Sequence, residues 1–170
     1  MAHIVPSITF GPITQVDNSA LYPLGVIYQE PAAPGNDPGA TATASSGGRR
    51  FRYVFNDDAA VNWAQGEIVC AEAAKGKGYS RRAPVDTDAV ICSGVAQWAV
   101  AFGKYAWVQT GGIGEVLADT GGISADTAIK VGNAVAGRAD DAASDDHAIG
   151  YSTEAVAATA LATCYLTIMD

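Results

Sequence analysis

The stretch VAQWAVAFGKYAWVQ, residues 95–109, decides the reading of the fold. Alternation places Ala96, Trp98, Val100 and Phe102 on one face and Val95, Gln97, Ala99 and Ala101 on the other, the period of two that a β-strand imposes on its side chains. Gly103 and Lys104 then form a Gly-X pair suited to a two-residue type II′ turn, in which glycine takes the positive φ of the first central position. The chain returns through Tyr105, Ala106, Trp107 and Val108, so the stretch predicts a β-hairpin.

Short strands and turns extend outward from it in both directions. FRYVF (51–55), EIVCA (67–71) and AVIC (89–92) are β-rich runs of strand length. On the far side come TGGIG (110–114), EVLA (115–118), DTGG (119–122) and AIKV (128–131), which read as short strands joined by glycine turns. The acidic stretch ADDAASDD (139–146) interrupts this rhythm, and AIGYSTEA (148–155) and LATCYLTIM (161–169) resume it. In the last run Leu161, Thr163, Tyr165, Thr167 and Met169 oppose Ala162, Cys164, Leu166 and Ile168, the pattern of a half-buried terminal strand. A competing reading makes TEAVAATALA (153–162) a short helix, since alanine has the best helix propensity. The expected body, residues 49–170, is all-β, a small barrel or a tulip-like sandwich of short antiparallel strands.

Residues 1–48 differ in kind. Six of the seven prolines lie between positions 6 and 38, which excludes a helix or a central strand there. The segment is nevertheless too apolar for a solvated tail, and it reads as an extended arm that packs on something: its own subunit, or a neighbour. Residues 31–48, PAAPGNDPGATATASSGG, carry no large apolar side chain and read as a linker or exposed loop.

Charge is segregated along the chain. The net charge of −8 divides into −3 over residues 1–48, +3 over 49–82 and −8 over 83–170. An acidic chain is poorly suited to gripping phosphate backbones, so nucleic acid is not an expected partner. No run approaches the roughly 18–20 apolar residues that cross a bilayer, and a soluble product made without export is expected. Cys70, Cys92 and Cys164 are spaced without a CxxC pair and suit buried reduced thiols better than a disulfide framework.

Constellations that carry chemistry are scarce. A cysteine nucleophile needs a partner base, and only His3 and His147 are present, with the cysteines in strands that should bury them. The acids Asp140, Asp141, Asp145 and Asp146 lack the alternating ligands, central glycine and closing glutamate of a calcium loop. Neither GxxxxGK[ST] nor GxGxxG occurs among the glycines of 111–114 and 121–122. Trp63 and Trp107 remain open as stacking platforms for a glycan, whereas Trp98 shares a face with Val100 and Phe102 and reads as core. No catalytic group, cofactor or metal is expected.

The run from Val95 to Ala155 resembles the small decoration proteins and related accessory head proteins of tailed phages. The elements that carry the likeness are Gly103 in a hairpin, Tyr105, Trp107, Val108 and Gln109 on the strand after it, and the later Ala148, Ile149 and Gly150, within a layout that spans residues 90–169. The resemblance implies a β-barrel or β-tulip body made in the host cytoplasm and carried on the capsid exterior. There it would sit as a homotrimer on the major capsid protein and tighten the shell, with no catalytic residues. The Pro-rich start and the basic approach to FRYVF are not part of that family pattern. Segregation of proline and charge along this chain makes Ile4, Val5, Phe10, Ile13 and Leu21 of the arm the expected apolar anchors, and Arg49, Arg50 and Arg52 the expected charged contacts to an acidic shell. The rival expectations are a virion module that binds a glycan or receptor through exposed aromatics and a small cysteine hydrolase.

Overall fold

The computed structural model describes residues 13–30, 48–86, 91–143 and 147–168, and among these residues there is no α-helix. Eleven strands follow in chain order: β1 (Val16–Asp17), β2 (Ile27–Gln29), β3 (Arg50–Asn56), β4 (Ile68–Glu72), β5 (Gly76–Arg82), β6 (Cys92–Val95), β7 (Tyr105–Leu117), β8 (Ala128–Val131), β9 (Ala139–Asp141), β10 (Gly150–Ser152) and β11 (Leu161–Thr167). The all-β expectation holds.

Strands β3, β5, β4, β6 and β7 form a closed ring, completed by the pairing of β3 with β7. Every neighbouring pair in it is antiparallel except β3 and β5. The one parallel pair among the expected antiparallel strands has a geometric reason: directions that alternate around a ring of odd number must leave one parallel pair. The second half of β7 continues into a further sheet in the order β7, β11, β10, β8, β9. A parallel bridge between Ala118 and Ala139, with the Asp119 N–H donating to the Ala139 carbonyl at 2.7 Å, brings β9 back beside the end of β7.

Strand β7 therefore serves both sheets. It passes from β3 to β11 at Gly111, whose registered partners are Arg50 and Thr167. The glycines of TGGIG, expected to form a turn, lie inside this 13-residue strand. They admit close neighbours rather than reverse the chain. A Cβ on Gly114 would stand 2.8 Å from Gln109 Oε1, because the buried Gln109 side chain folds along its own strand and donates from Nε2 to the carbonyls of Gly111 and Ile113.

The expected hairpin at Gly103–Lys104 is also different. Strand β6 ends at Val95 and meets β7 at Gln109, while residues 96–104 leave the ladder and Val100 makes an isolated antiparallel bridge to Trp63, outside any strand. The turn closes from the Lys104 N–H to the Ala101 carbonyl, and Gly103, with φ +73°, occupies its second central position, as in a type II turn. Phe102 at the first is half exposed, so the face of Ala96, Trp98, Val100 and Phe102 is not uniformly core. The alternative helix over 153–162 is absent: Val156 bridges Ile123, Ala160 closes a turn and β11 begins at Leu161.

Alternation on β3 explains how the barrel is filled and covered. Val54 joins Trp63, Val69, Val100, Ala106 and Val108 in one apolar cluster. On the opposite face Phe51, Tyr53 and Trp107 form a second cluster, against which Ile13, Tyr22, Leu24, Val26 and Tyr28 pack. The described part of the arm, residues 13–30, is thus a lid on its own subunit, pinned by pairing of β1 with β7 and β2 with β3. Tyr53 fixes it further: its hydroxyl donates to Asp17 at 2.7 Å and accepts from the Leu21 N–H. Burial and the neighbouring Asp17 raise the Tyr53 pKa, opposed by the Leu21 amide, so the phenol remains a donor. The third and largest cluster joins Ile68, Cys70, Cys92 and Val95 of the barrel to Ile129, Val131, Cys164 and Leu166 of the second sheet.

Candidate interaction surface

The residues singled out from sequence fall in several settings where they are described. Ile4, Val5 and Phe10 lie outside the described residues. Ile13 is half-buried in the lid, and Leu21 is 57% exposed. Arg49 makes a two-nitrogen ion pair with Glu30, each contact 2.8 Å, with its guanidinium over the Phe51 ring. Arg50 donates to Thr110 Oγ1 and to the Ile168 carbonyl, holding the junction of the two sheets. Arg52 is buried and donates to the Ser93 carbonyl at 3.0 Å, beside the hydrogen bond between Ser80 and Ser93. Each of the three arginines thus has partners within the chain. FRYVF has both faces covered, one by the barrel interior and one by the lid, and this consigns Arg52 to the inside.

Trp63 and Trp107, held open as glycan platforms, are both buried. Trp107 is the hub of the lid, with ring centroids of Tyr22, Tyr28 and Tyr53 at 5.3, 6.0 and 5.1 Å. All three cysteines are buried. Burial and the nearby Glu154 push the Cys164 thiol up to about 12, and the contact with Cys92 together with burial raises that of Cys70, which disfavours the thiolate a nucleophile requires. Among the described residues no three His, Cys, Asp or Glu side chains group as metal ligands, and no helix is long and apolar enough to cross a membrane.

The feature that does stand out lies on the second sheet. Its inner residues, Ile129, Val131, Cys164, Leu166 and Val116, enter the large core, so their sequence neighbours point outward. Tyr151 of β10 and Tyr165 of β11 are direct cross-strand partners, 57% and 50% exposed. Ala128 and Ile113 continue this row on β8 and β7, and Thr163 and Glu115 pair in the next. The result is a sheet face with two exposed tyrosines at its centre. Glu154 borders it, accepting from the Thr163 N–H at 2.9 Å; bonds from Thr163 hold its carboxyl below the usual range. Alternation in LATCYLTIM already set Tyr165 on the face opposite Cys164 and Leu166; its pairing with Tyr151 depends on register across a loop and is not visible in either segment alone.

A closed five-stranded β-barrel that shares its longest strand with a second sheet defines the architecture. No protein-family model and no curated protein matches the sequence. Among solved structures, the fold is similar to that described as the head fiber gp8.5 N base in bacteriophage phi29, with a TM-score of 0.51 at 15% sequence identity, covering 71% of this chain and 97% of that one.

Proposed function

We propose that this chain is a structural protein of a tailed-phage virion, which binds the outer surface of the head through the major capsid protein and stabilises the shell as a decoration protein. The observation that carries the reading is the fold it shares with a phage head fiber base over nearly that chain's full length. The layout of residues 90–169 resembles the same class of head proteins. The role is adhesive and needs no reacting group. Assembly as a homotrimer would let several modest contacts act together at high effective concentration, so that release is slow.

The face of Tyr151 and Tyr165 is the attachment surface favoured by the geometry. Exposed tyrosines present large contact area at low side-chain entropy cost and recur among residues that dominate binding. Arg49, Arg50 and Arg52 are set aside as the charged contacts because each is engaged internally. Co-sedimentation with undecorated heads tests the reading. Wild-type protein is expected in the pellet at saturating, symmetry-matched stoichiometry. The double variant Tyr151→Ala/Tyr165→Ala is expected to bind about 30-fold or more weakly, the loss of one strong hot spot, while melting near the wild type. Wild-type protein that stays in the supernatant contradicts the proposal, and a double variant that binds unchanged removes the tyrosine face from it.

The same exposed pair supports a second reading, a virion module that binds a glycan, since aromatic faces can cover the apolar side of a sugar while the hydroxyls hydrogen-bond. Glycan-array binding that disappears in Tyr165→Ala would favour it.

A further inference from the structure

Cys70 and Cys92 are separated by 22 positions in the chain, yet their sulfurs lie 3.0 Å apart in the core. A bulge produces the meeting. Strands β4 and β6 pair Ile68 with Val95 and Val69 with Gly94, and uninterrupted register would set Cys70 opposite Ser93. The register shifts between Val69 and Cys70, so Cys92 takes that place. Ser93, the extra residue, instead holds Ser80 through its hydroxyl and Arg52 through its carbonyl. Both thiols enter the large apolar cluster, while Cys164 is on β11, separated from β6 by β7.

We infer that Cys70 and Cys92 are a redox-responsive pair that closes to an intramolecular disulfide when the protein meets a disulfide oxidant such as oxidised glutathione. The sulfurs must approach by about 1 Å to reach the bonded distance near 2.05 Å, a displacement within the reach of side-chain rotation on paired strands. One thiol, as its thiolate, attacks a glutathione sulfur and releases one reduced glutathione. The second thiolate attacks the mixed disulfide, the protein S–S bond forms, and a second reduced glutathione leaves, so two electrons and two protons pass from protein to glutathione. The product staples the adjacent ring strands β4 and β6 on the face that packs against the second sheet and restricts the unfolded chain across the intervening β5 segment. Burial makes the reaction slow in the native state, and entry is favoured at the β6 end, where Ile91, the residue before Cys92, is half exposed. The inference rests on the bulge and the sulfur contact alone and is independent of the virion reading.

Equilibration of the native full-length chain in glutathione redox buffers, approached both from reduced protein and from oxidised refolded protein, tests it. After acid quench and tryptic digestion the expected product joins the peptide of residues 53–75, which holds Cys70, to that of residues 83–104, which holds Cys92, with Cys164 still a free thiol. The oxidised protein is expected to melt about 5–10 °C above the reduced one, and Cys70→Ser to lose both the link and the shift. A link from Cys164 to either cysteine, an intermolecular dimer, or no Cys70–Cys92 product from either direction would overturn it.

Discussion

Trp107→Ala is expected to destabilise the protein by about 3–5 kcal/mol, the usual range for truncating a large buried aromatic. Trp107 is 1% exposed and lies at the centre of the cluster between the barrel wall and the lid. Of the three tyrosine rings around it, Tyr22 and Tyr28 belong to the lid and Tyr53 to β3. Its loss removes the packing that β1 and β2 need, because two paired residues on β1 and three on β2 cannot hold residues 13–30 by backbone bonds alone. Chemical unfolding should show the loss of stability, and hydrogen exchange should show residues 13–30 losing protection ahead of β3 and β7. Phe102→Ala, at a half-exposed turn position, is the control and is expected to change stability by less than about 1 kcal/mol. An equally small effect of Trp107→Ala would contradict the assignment of the segment as a lid.

The second large effect is expected at Asp119, whose carboxylate is buried just beyond the end of β7. Oδ1 accepts from the Thr120 N–H at 2.8 Å, and Oδ2 accepts from Ala134 at 2.8 Å and Val135 at 3.1 Å. It thereby ties the loop between β8 and β9 to the strand that β9 must reach. A Cβ on Gly132 would lie 2.5 Å from Oδ2, so the loop approaches as closely as glycine permits. Asp119→Ala leaves three amide donors without their acceptor, and at 1–3 kcal/mol for each poorly solvated donor a loss of about 3–4 kcal/mol is expected.

Asp119 also sets a pH dependence. Burial alone would raise its pKa, but the amides of Ala134, Thr120 and Val135 and the charge of Arg138 outweigh it and hold the carboxyl below its ordinary value. A depressed folded pKa contributes stability that is complete above the unfolded value of about 3.9 and is lost as pH falls through the folded value. The stability difference between wild type and Asp119→Asn should therefore be constant above about pH 5 and shrink on acidification below about pH 4. Comparison of the pair is needed because Glu67 acts in the opposite sense. Burial raises its pKa despite the Ala64 amide and Arg82, so its contribution is greatest below the unfolded value and declines as pH rises through the folded one. A wild-type to Asn difference that stays flat down to pH 2 would contradict the role given to Asp119.

What the sequence discloses is largely what local alternation controls. LATCYLTIM sorts Ala162, Cys164, Leu166 and Ile168 inward and Thr163, Tyr165 and Thr167 outward, as its period of two requires. FRYVF and EIVCA likewise become β3 and the body of β4. Four features depend on partners distant in the chain and are not legible locally. The stretch 96–104 has strand alternation, yet its contacts run to Asn56, Asn62 and Trp63, which draw it out of the ladder. The glycines at 111–114 have the composition of a turn, but β3, β11 and the folded Gln109 side chain keep them in one strand. Arg49, Arg50 and Arg52 look like a surface charge cluster until Glu30, Ile168 and Ser93 are brought against them. The cysteine pair is hidden for the same reason, since one bulge decides whether Cys70 faces Ser93 or Cys92.

Electron cryomicroscopy of heads saturated with the protein would reveal whether it attaches to the outer surface of the shell. If the protein decorates the head as proposed, added density appears on the outer surface at regular, symmetry-related sites, shaped as three copies of the barrel with its attached sheet and absent from undecorated heads. Heads that gain no ordered external density under saturating protein would contradict that proposal.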